Sequence, residues 1–225
     1  DEGWGIWKRM LGHMALNHAE RTRFYGLPST GPRREEWLMG RVAAKEAART
    51  WIAREYGLRV ANADIEIVDN AQGQPSLHCA MLGDRPAPVV SLAHSRRWAA
   101  AAVAAPGQAI GWDYQRIERI KVEDVEKGAL TAAESAQLEG LSGAPRLQRV
   151  VAMWCAKEAA AKLTGLGLGG RPDAWEVTFL AAREDGALPA HVRHGDQAFD
   201  LHVLIEGDAE VAALCLMPEP SGTTI

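Results

Sequence analysis

Met153-Trp154-Cys155-Ala156-Lys157-Glu158-Ala159-Ala160-Ala161-Lys162 sits inside a longer run, Leu147 to Leu163, that contains neither glycine nor proline and stops at Gly165. Alanine, leucine, lysine and glutamate favour the helix and a glycine past the last periodic residue ends it, so the run predicts a long helix. Upstream, Thr131 with Glu134 three residues later reads as a capping box and predicts a short helix. Downstream, Phe199, Leu201, Val203 and Ile205 alternate with Asp200 and His202, the period of a strand with one buried face, and Glu210 to Met217 is the next apolar run. The first half is written the same way. Arg34 to Tyr56 carries Leu38, Val42, Ala48 or Arg49, and Ile52 at helical spacing, with Gly40 its one glycine. Ile65 and Ile67 alternate with polar neighbours, Gly73-Gln74-Pro75 is a turn, and Pro88 to Leu92 and Arg97 to Ala104 predict short strands. Pro106-Gly107 breaks the chain, and Ala109, Ile110 and Trp112 then lead as a strand into Asp113. The expectation is an α+β chain of two similar-sized lobes, 1–107 and 108–225, each a long helix accompanied by several strands, with no short-period repeat.

With 225 residues, 47% hydrophobic and 24% charged, the chain can form real cores and is too balanced for a disordered tail. Its longest apolar stretch, Trp98 to Ala105, falls far short of the roughly 18 residues that span a bilayer, so no membrane segment is expected. The numbering opens at Asp1 without Met, and Gly3 to Lys8 lack the apolar core of a signal peptide, which suggests a domain excised from a longer protein. Cys79, Cys155 and Cys215 are odd in number and far apart, which fits neither a disulfide framework nor a metal clasp and favours a reducing cytoplasm. The net charge of −4 hides an asymmetry: residues 1–60 hold 11 Lys and Arg against 7 Asp and Glu, and the remainder 14 against 22. A basic end can meet an anionic ligand, although a solvated helix face gives the same count.

Three places carry chemistry. Glu158 and Lys162 are four apart and share a helix face with Trp154; taken alone they read as an ion pair on a solvated helix. Ile110-Gly111-Trp112-Asp113 places a carboxylate where an apolar strand leaves its sheet, a position for a metal ligand and equally for a turn aspartate. Ser91-Leu92-Ala93-His94-Ser95 places an imidazole and hydroxyls directly after a strand, where a lone histidine is more often structural.

In order, Gly73-Gln74-Pro75, Ala93-His94-Ser95, Gly111-Trp112-Asp113-Tyr114-Gln115 and Trp154-Cys155-Ala156-Lys157-Glu158 through Lys162 resemble the motifs of the Sfp-type 4′-phosphopantetheinyl transferases. Those motifs are a Gly-Lys-Pro turn, a Ser-His-Ser strand end, a Gly-x-Asp-x-Glu strand end and a Trp-x-x-Lys-Glu-x-x-x-Lys helix. The resemblance runs from about Arg23 to Met217, and Glu36 to Ala47 is similar to a helix of transferase domains fused to large polyketide synthases. It implies two pseudo-symmetric α+β lobes, each a long helix packed on a small mostly antiparallel sheet, with the active site between them. The implied enzyme is cytoplasmic and moves phosphopantetheine from coenzyme A to a serine of an acyl or peptidyl carrier protein, releasing 3′,5′-ADP with Mg2+. It works as a monomer or as a domain of a larger synthase. By the same resemblance Asp113, Glu158 and the residue at Gln115 would hold the metal, Glu158 would take the serine proton directly or through water, and Lys162 would touch the pyrophosphate, with Lys157 either assisting it or facing solvent. Gly73, Gln74, Pro75, His94 and Ser95 would contact coenzyme A, and Arg41, Lys45, Arg21 and Arg23 would be candidates for its 3′-phosphate.

The departures are Gln74 for lysine, Ala93 for serine, and Gln115 for the second carboxylate, with Glu118 as a possible substitute. An amide oxygen reaches magnesium without adding charge. A second reading, a degraded lobe that binds coenzyme A or docks a carrier without transfer, rests on these three positions. Gly165-Leu166-Gly167-Leu168-Gly169-Gly170 satisfies a dinucleotide-binding pattern but follows a helix instead of a strand, so it reads as a helix end and loop. His191-Val192-Arg193-His194 lacks partners for a zinc site and reads as a turn beside Gly195-Asp196. The eight tryptophans read mostly as core, and with the acidic second half they argue against nucleic acid.

Overall fold

The computed structural model describes residues 2–70, 73–95, 98–183, 186–207 and 209–217. The chain divides into two compact units, Asp1–Gln108 and Ala109–Ile225. Among the described residues no helix is long and apolar enough to cross a membrane.

Unit 1 begins with helices α1 (Glu2–Ala15), α2 (His18–Gly26) and α3 (Arg33–Tyr56). Leu38, Ala44, Ala48 and Ile52 form the buried stripe of α3, and Gly57 ends it in the left-handed conformation at φ 66°. Two antiparallel ladders follow, β1 (Glu66–Asp69) with β2 (Pro75–His78) and β3 (Val89–Ser95) with β4 (Trp98–Ala104). Ile65, Ile67, Leu77 and Val90 close the core under α3. His94 and Ser95 belong to β3 itself, paired with Ala99 and Trp98, so the strand runs past its expected end at Leu92. Arg97, the expected start of the next strand, lies outside the described residues.

Unit 2 packs one long helix on one sheet. After β5 (Ala109–Arg116) come short helices α4 (Val122–Gly128) and α5 (Ala132–Ala136), then α6 (Gly143–Thr164) and strands β6 (Trp175–Phe179), β7 (Leu188–His194), β8 (Gln197–Glu206) and β9 (Glu210–Met217). The strands form one antiparallel sheet in the order β5-β9-β8-β7-β6. Pro145 does not delay α6, because the first turn has no hydrogen-bond use for its missing N–H. Ala152, Ala156, Ala159 and Ala160 keep the buried face of α6 thin, and Phe199, Leu201, Val203, Val211 and Ala213 meet it from the sheet. Asp113 lies inside β5, opposite Ala213, instead of at a strand end. His191 and His194 are likewise in β7, His191 against Asp200 and His194 stacked on Trp175 at 4.0 Å. Trp175 is fully buried, whereas Trp7 and Trp98 are more than half exposed, so the tryptophans are not uniformly core.

Candidate active site

Helix α6 crosses β5 at Gly111, where a Cβ would stand 1.9 Å from the Ala159 carbonyl oxygen and 2.8 Å from the Leu163 nitrogen. Only hydrogen fits there. The pleat turns residues two apart to the same face of a strand, so Gly111, Asp113 and Gln115 share one face, while Glu158 and Lys162 flank the crossing on the helix. Asp113 is 2% exposed; its Oδ1 accepts from Lys162 Nζ at 2.6 Å and its Oδ2 from Gln115 Nε2 at 3.1 Å. Lys162 also donates to the Trp112 carbonyl at 3.1 Å. Burial raises the Glu158 carboxyl above the usual carboxylate range and the neighbouring Asp113 raises it further, while Lys162 pulls the other way. The Cys155 thiol is pushed well up by burial and then by Asp113. Two mutually repelling carboxylates against one lysine suit a divalent cation, although among the described residues no group of three His, Cys, Asp or Glu assembles. Gln115 is engaged as a donor to Asp113.

Lys157 does not assist at this cluster. It is fully buried, and its three protons go to Glu134 Oε2 at 2.7 Å, the Ala129 carbonyl at 2.5 Å and the Pro172 carbonyl at 3.0 Å. A lysine with every donor spent in the core has none left for a pyrophosphate. Lys45, a 3′-phosphate candidate, is corrected for the same reason: fully buried, it is tied to Glu20 and to the Ala15 carbonyl, the latter at 2.7 Å.

The other candidates of unit 1 gather around Gly40-Arg41 of α3. A Cβ on Gly40 would stand 2.1 Å from His94 Nε2, so the missing side chain is the space the exposed imidazole uses against the helix. Arg41 donates to Asp69 Oδ1 at 2.6 Å and Arg23 to Asp69 Oδ2 at 2.9 Å, with both guanidiniums over the Trp37 ring. Asp69 faces Pro75 across the hairpin, whose turn is held by Asn70 N to Gln74 O at 2.8 Å, Gly73 N to Asn70 O at 2.9 Å and Gln74 N to Asn70 Oδ1 at 2.8 Å. Gly73 has φ 81°, the left-handed region where a side chain is strained. Arg41, Arg23, the Gly73-Gln74-Pro75 turn and His94 thus group around Gly40-Arg41. Arg41 is nearly buried; Arg23 is the more open of the two arginines, with a half-exposed side chain. Ser95 is buried, and Arg21 lies elsewhere, donating to the Leu16 carbonyl at 2.7 Å.

Of the partners of the two buried lysines, Glu134 reads in sequence only as a capping-box residue and Glu20 is not singled out at all, yet a signal for both pairings is there. Ala15-Leu16-Asn17-His18-Ala19-Glu20 parallels Ala129-Leu130-Thr131-Ala132-Ala133-Glu134, and Ala44-Lys45-Glu46-Ala47-Ala48 parallels Ala156-Lys157-Glu158-Ala159-Ala160. The copies stand about half a chain apart, beyond any short-period search. They diverge where chemistry begins: hydrogen bonds from Asn62 and Arg49 hold the half-exposed Glu46 below the usual range, whereas burial lifts Glu158.

The profile of the 4′-phosphopantetheinyl transferase superfamily matches residues 109–215, which include Asp113, Gln115, Glu158 and Lys162. A holo-[acyl-carrier-protein] synthase of Geobacillus kaustophilus is 38% identical over 95 residues, 42% of this chain and 70% of the relative. One of Bacillus subtilis is 35% identical over 96 residues, 43% of this chain and 77% of the relative. The chain belongs to the 4′-phosphopantetheinyl transferase superfamily, and the relatives it matches carry the name holo-[acyl-carrier-protein] synthase. A crystal structure of a holo-(acyl-carrier-protein) synthase from Bacillus anthracis in complex with CoA (3′,5′-ADP) is similar at 22% identity and TM-score 0.39, covering 48% of this chain and 93% of that one.

Proposed function

We propose that the chain transfers 4′-phosphopantetheine from coenzyme A to a serine hydroxyl of an acyl or peptidyl carrier protein, in the manner of Sfp-type enzymes. The serine oxygen bonds to the phosphorus that bears pantetheine, the P–O bond to the adenylate side of the pyrophosphate breaks, and 3′,5′-ADP leaves. The observation that carries this reading is the Asp113, Glu158 and Lys162 cluster at the Gly111 crossing. Glu158 takes the serine proton, a task that a raised carboxyl pKa suits. Lys162 stands against the charge that gathers on the departing phosphate. Magnesium, when bound, would neutralise the pyrophosphate; Asp113 and Glu158 are the carboxylates that would hold it, with Gln115 an amide beside them. In unit 1 the coenzyme A contacts fall to Arg23, Arg41, the Gly73-Gln74-Pro75 turn and His94, with Ser95 behind. The three cysteines are free, which suits a reducing cytoplasm, and the chain works there as a monomer or as a domain of a larger synthase.

Apo carrier proteins incubated with coenzyme A, Mg2+ and the chain should gain the phosphopantetheine mass by mass spectrometry. Folded protein that binds coenzyme A yet modifies none of several carriers would refute transfer and leave a binding lobe.

A further inference from the structure

The buried lysine of unit 1 belongs to a tie between α3 and β1. Lys45 Nζ is bonded to Glu20 Oε2 and to the Ala15 carbonyl at the end of α1. Glu20 is the third residue of a capping box: its amide donates to Asn17 Oδ1 at 2.8 Å, and its Oε2 accepts from Asn17 N at 3.0 Å. Its other oxygen, Oε1, accepts from the Ile67 amide of β1 at 3.1 Å. The Glu20–Lys45 pair thus joins the end of α1, the start of α2, the middle of α3 and the strand that leads into the Gly73-Gln74-Pro75 turn.

A second tie runs beside the first between the same two elements. Arg41 is one helical turn before Lys45, about 6 Å along α3, and Asp69 is two residues beyond Ile67, about 7 Å along β1. The spacings match, so Lys45–Glu20–Ile67 and Arg41–Asp69 form two rungs. The inner rung is fully buried; the outer one is open at Arg23 and next to the turn. An apolar pair of similar size commonly supports a fold as well as a buried ion pair does, so such a pair points to a geometric role. Unit 2 repeats the device: Lys157 bonds Glu134 Oε2 and the Ala129 carbonyl, Glu134 closes a capping box with Thr131, and its Oε1 accepts from Val177 N of β6 at 2.7 Å.

We infer that Glu20 and Lys45 are positioning residues that hold the β1–β2 hairpin, and through it Asp69, Arg41 and the Gly73-Gln74-Pro75 turn, in the geometry that binds coenzyme A. This rests on the proposed function. The test compares the unaltered chain with Glu20→Leu/Lys45→Met, an uncharged pair that removes the acceptor of the Ile67 amide, and with Glu20→Gln/Lys45→Met, which restores an acceptor oxygen. Hydrogen exchange of residues 66–70 and 73–78 should quicken at least tenfold in the Leu/Met pair while α6 is unchanged. The coenzyme A dissociation constant should rise at least tenfold with kcat at saturating coenzyme A within twofold, and the Gln/Met pair should return both readouts toward the unaltered values. Unchanged hairpin exchange, a loosened hairpin with unchanged affinity, or equal loosening of α6 would each overturn the inference. Should the Leu/Met pair not fold, the unaltered chain decides: saturating coenzyme A must slow the buried Ile67 amide along with the turn amides, and protection of the turn alone overturns it. An unaltered chain that binds no coenzyme A removes the proposed function and this inference with it. Binding by the unaltered chain with no response in the variants removes the inference alone.

Discussion

Gly111→Ala tests the geometry that assembles the catalytic cluster. The new methyl would stand 1.9 Å from a helix carbonyl, and since real Cβ contacts stay beyond 3.0 Å, α6 and β5 must part by at least about 1 Å. The obstacle is backbone in the last two turns of a 22-residue helix, so no side-chain rotation relieves it. Overpacking of this kind costs about 1–3 kcal/mol. For a chain of this size that lowers the melting temperature by about 2–4 °C per kcal/mol. Activity should suffer more than stability, because Glu158 precedes Ala159 and Lys162 precedes Leu163, the two residues pushed away, and a misplacement of about 1 Å can cost a hundredfold in rate. Gly40→Ala is the contrasting case: its methyl meets His94 Nε2 at 2.1 Å, the far end of a side chain that can turn aside. Thermal melts by circular dichroism and phosphopantetheine transfer at saturating coenzyme A are the assays. Gly111→Ala should melt lower and lose about a hundredfold or more in turnover, whereas Gly40→Ala should melt near the parent and weaken coenzyme A binding. A Gly111→Ala protein with parental melting and full turnover would refute the crossing as the organiser of the site.

Glu158→Gln and Lys162→Ala should each depress turnover severely in a folded protein, with a combined loss smaller than the product of the two because both serve one transition state; near-full turnover in either removes that assignment. In the Mg2+-free protein the buried Glu158 carboxyl should titrate above the ordinary glutamate value of 4.5, and added Mg2+, which favours the charged form, should move that titration down; carboxyl-carbon NMR of Glu158 checks both, and a Mg2+-free titration at or below 4.5 counts against the buried environment assigned to it. Gln115→Glu replaces the amide donor on Asp113 with a third carboxylate, so calorimetric titration of Mg2+ into the coenzyme A-free protein should show tighter binding than the parent; equal affinity would mean that position 115 lies outside the ion's reach. Tyr114 is pushed up to about 12, by burial first and then by Glu210. The folded state therefore keeps a proton that the unfolded chain releases near 10, and this contribution to stability, whole below about 10, disappears as pH rises through 12. Tyr114→Phe should remove the last-titrating step of the phenolate absorbance, and loss of a step near the ordinary value of about 10 instead would refute the shift.

What the sequence determined by itself is local. The glycine-free run ending at Gly165, the spacing of Leu38, Ala48 and Ile52, and the alternation from Phe199 to Ile205 specify helices and strands, because propensity and periodicity act over a few residues. The capping box at Thr131 and Glu134 was legible for the same reason. What a lysine or carboxylate faces was not. Lys157 and Lys162 lie on one helix among the same alanines, yet Lys157 is sealed in the core and Lys162 reaches Asp113. The partners that bury Lys45 and Lys157 stand 25 and 23 positions earlier, on the preceding helix across a loop, so only the packed chain brings them together. Asp113 looked like a strand end because its pairing with Ala213 is a contact across the sheet that no local pattern records. Burial and long-range pairing set charge, pKa and accessibility, and both belong to the tertiary structure: a side chain's field depends on neighbours that the chain reaches only by folding back on itself.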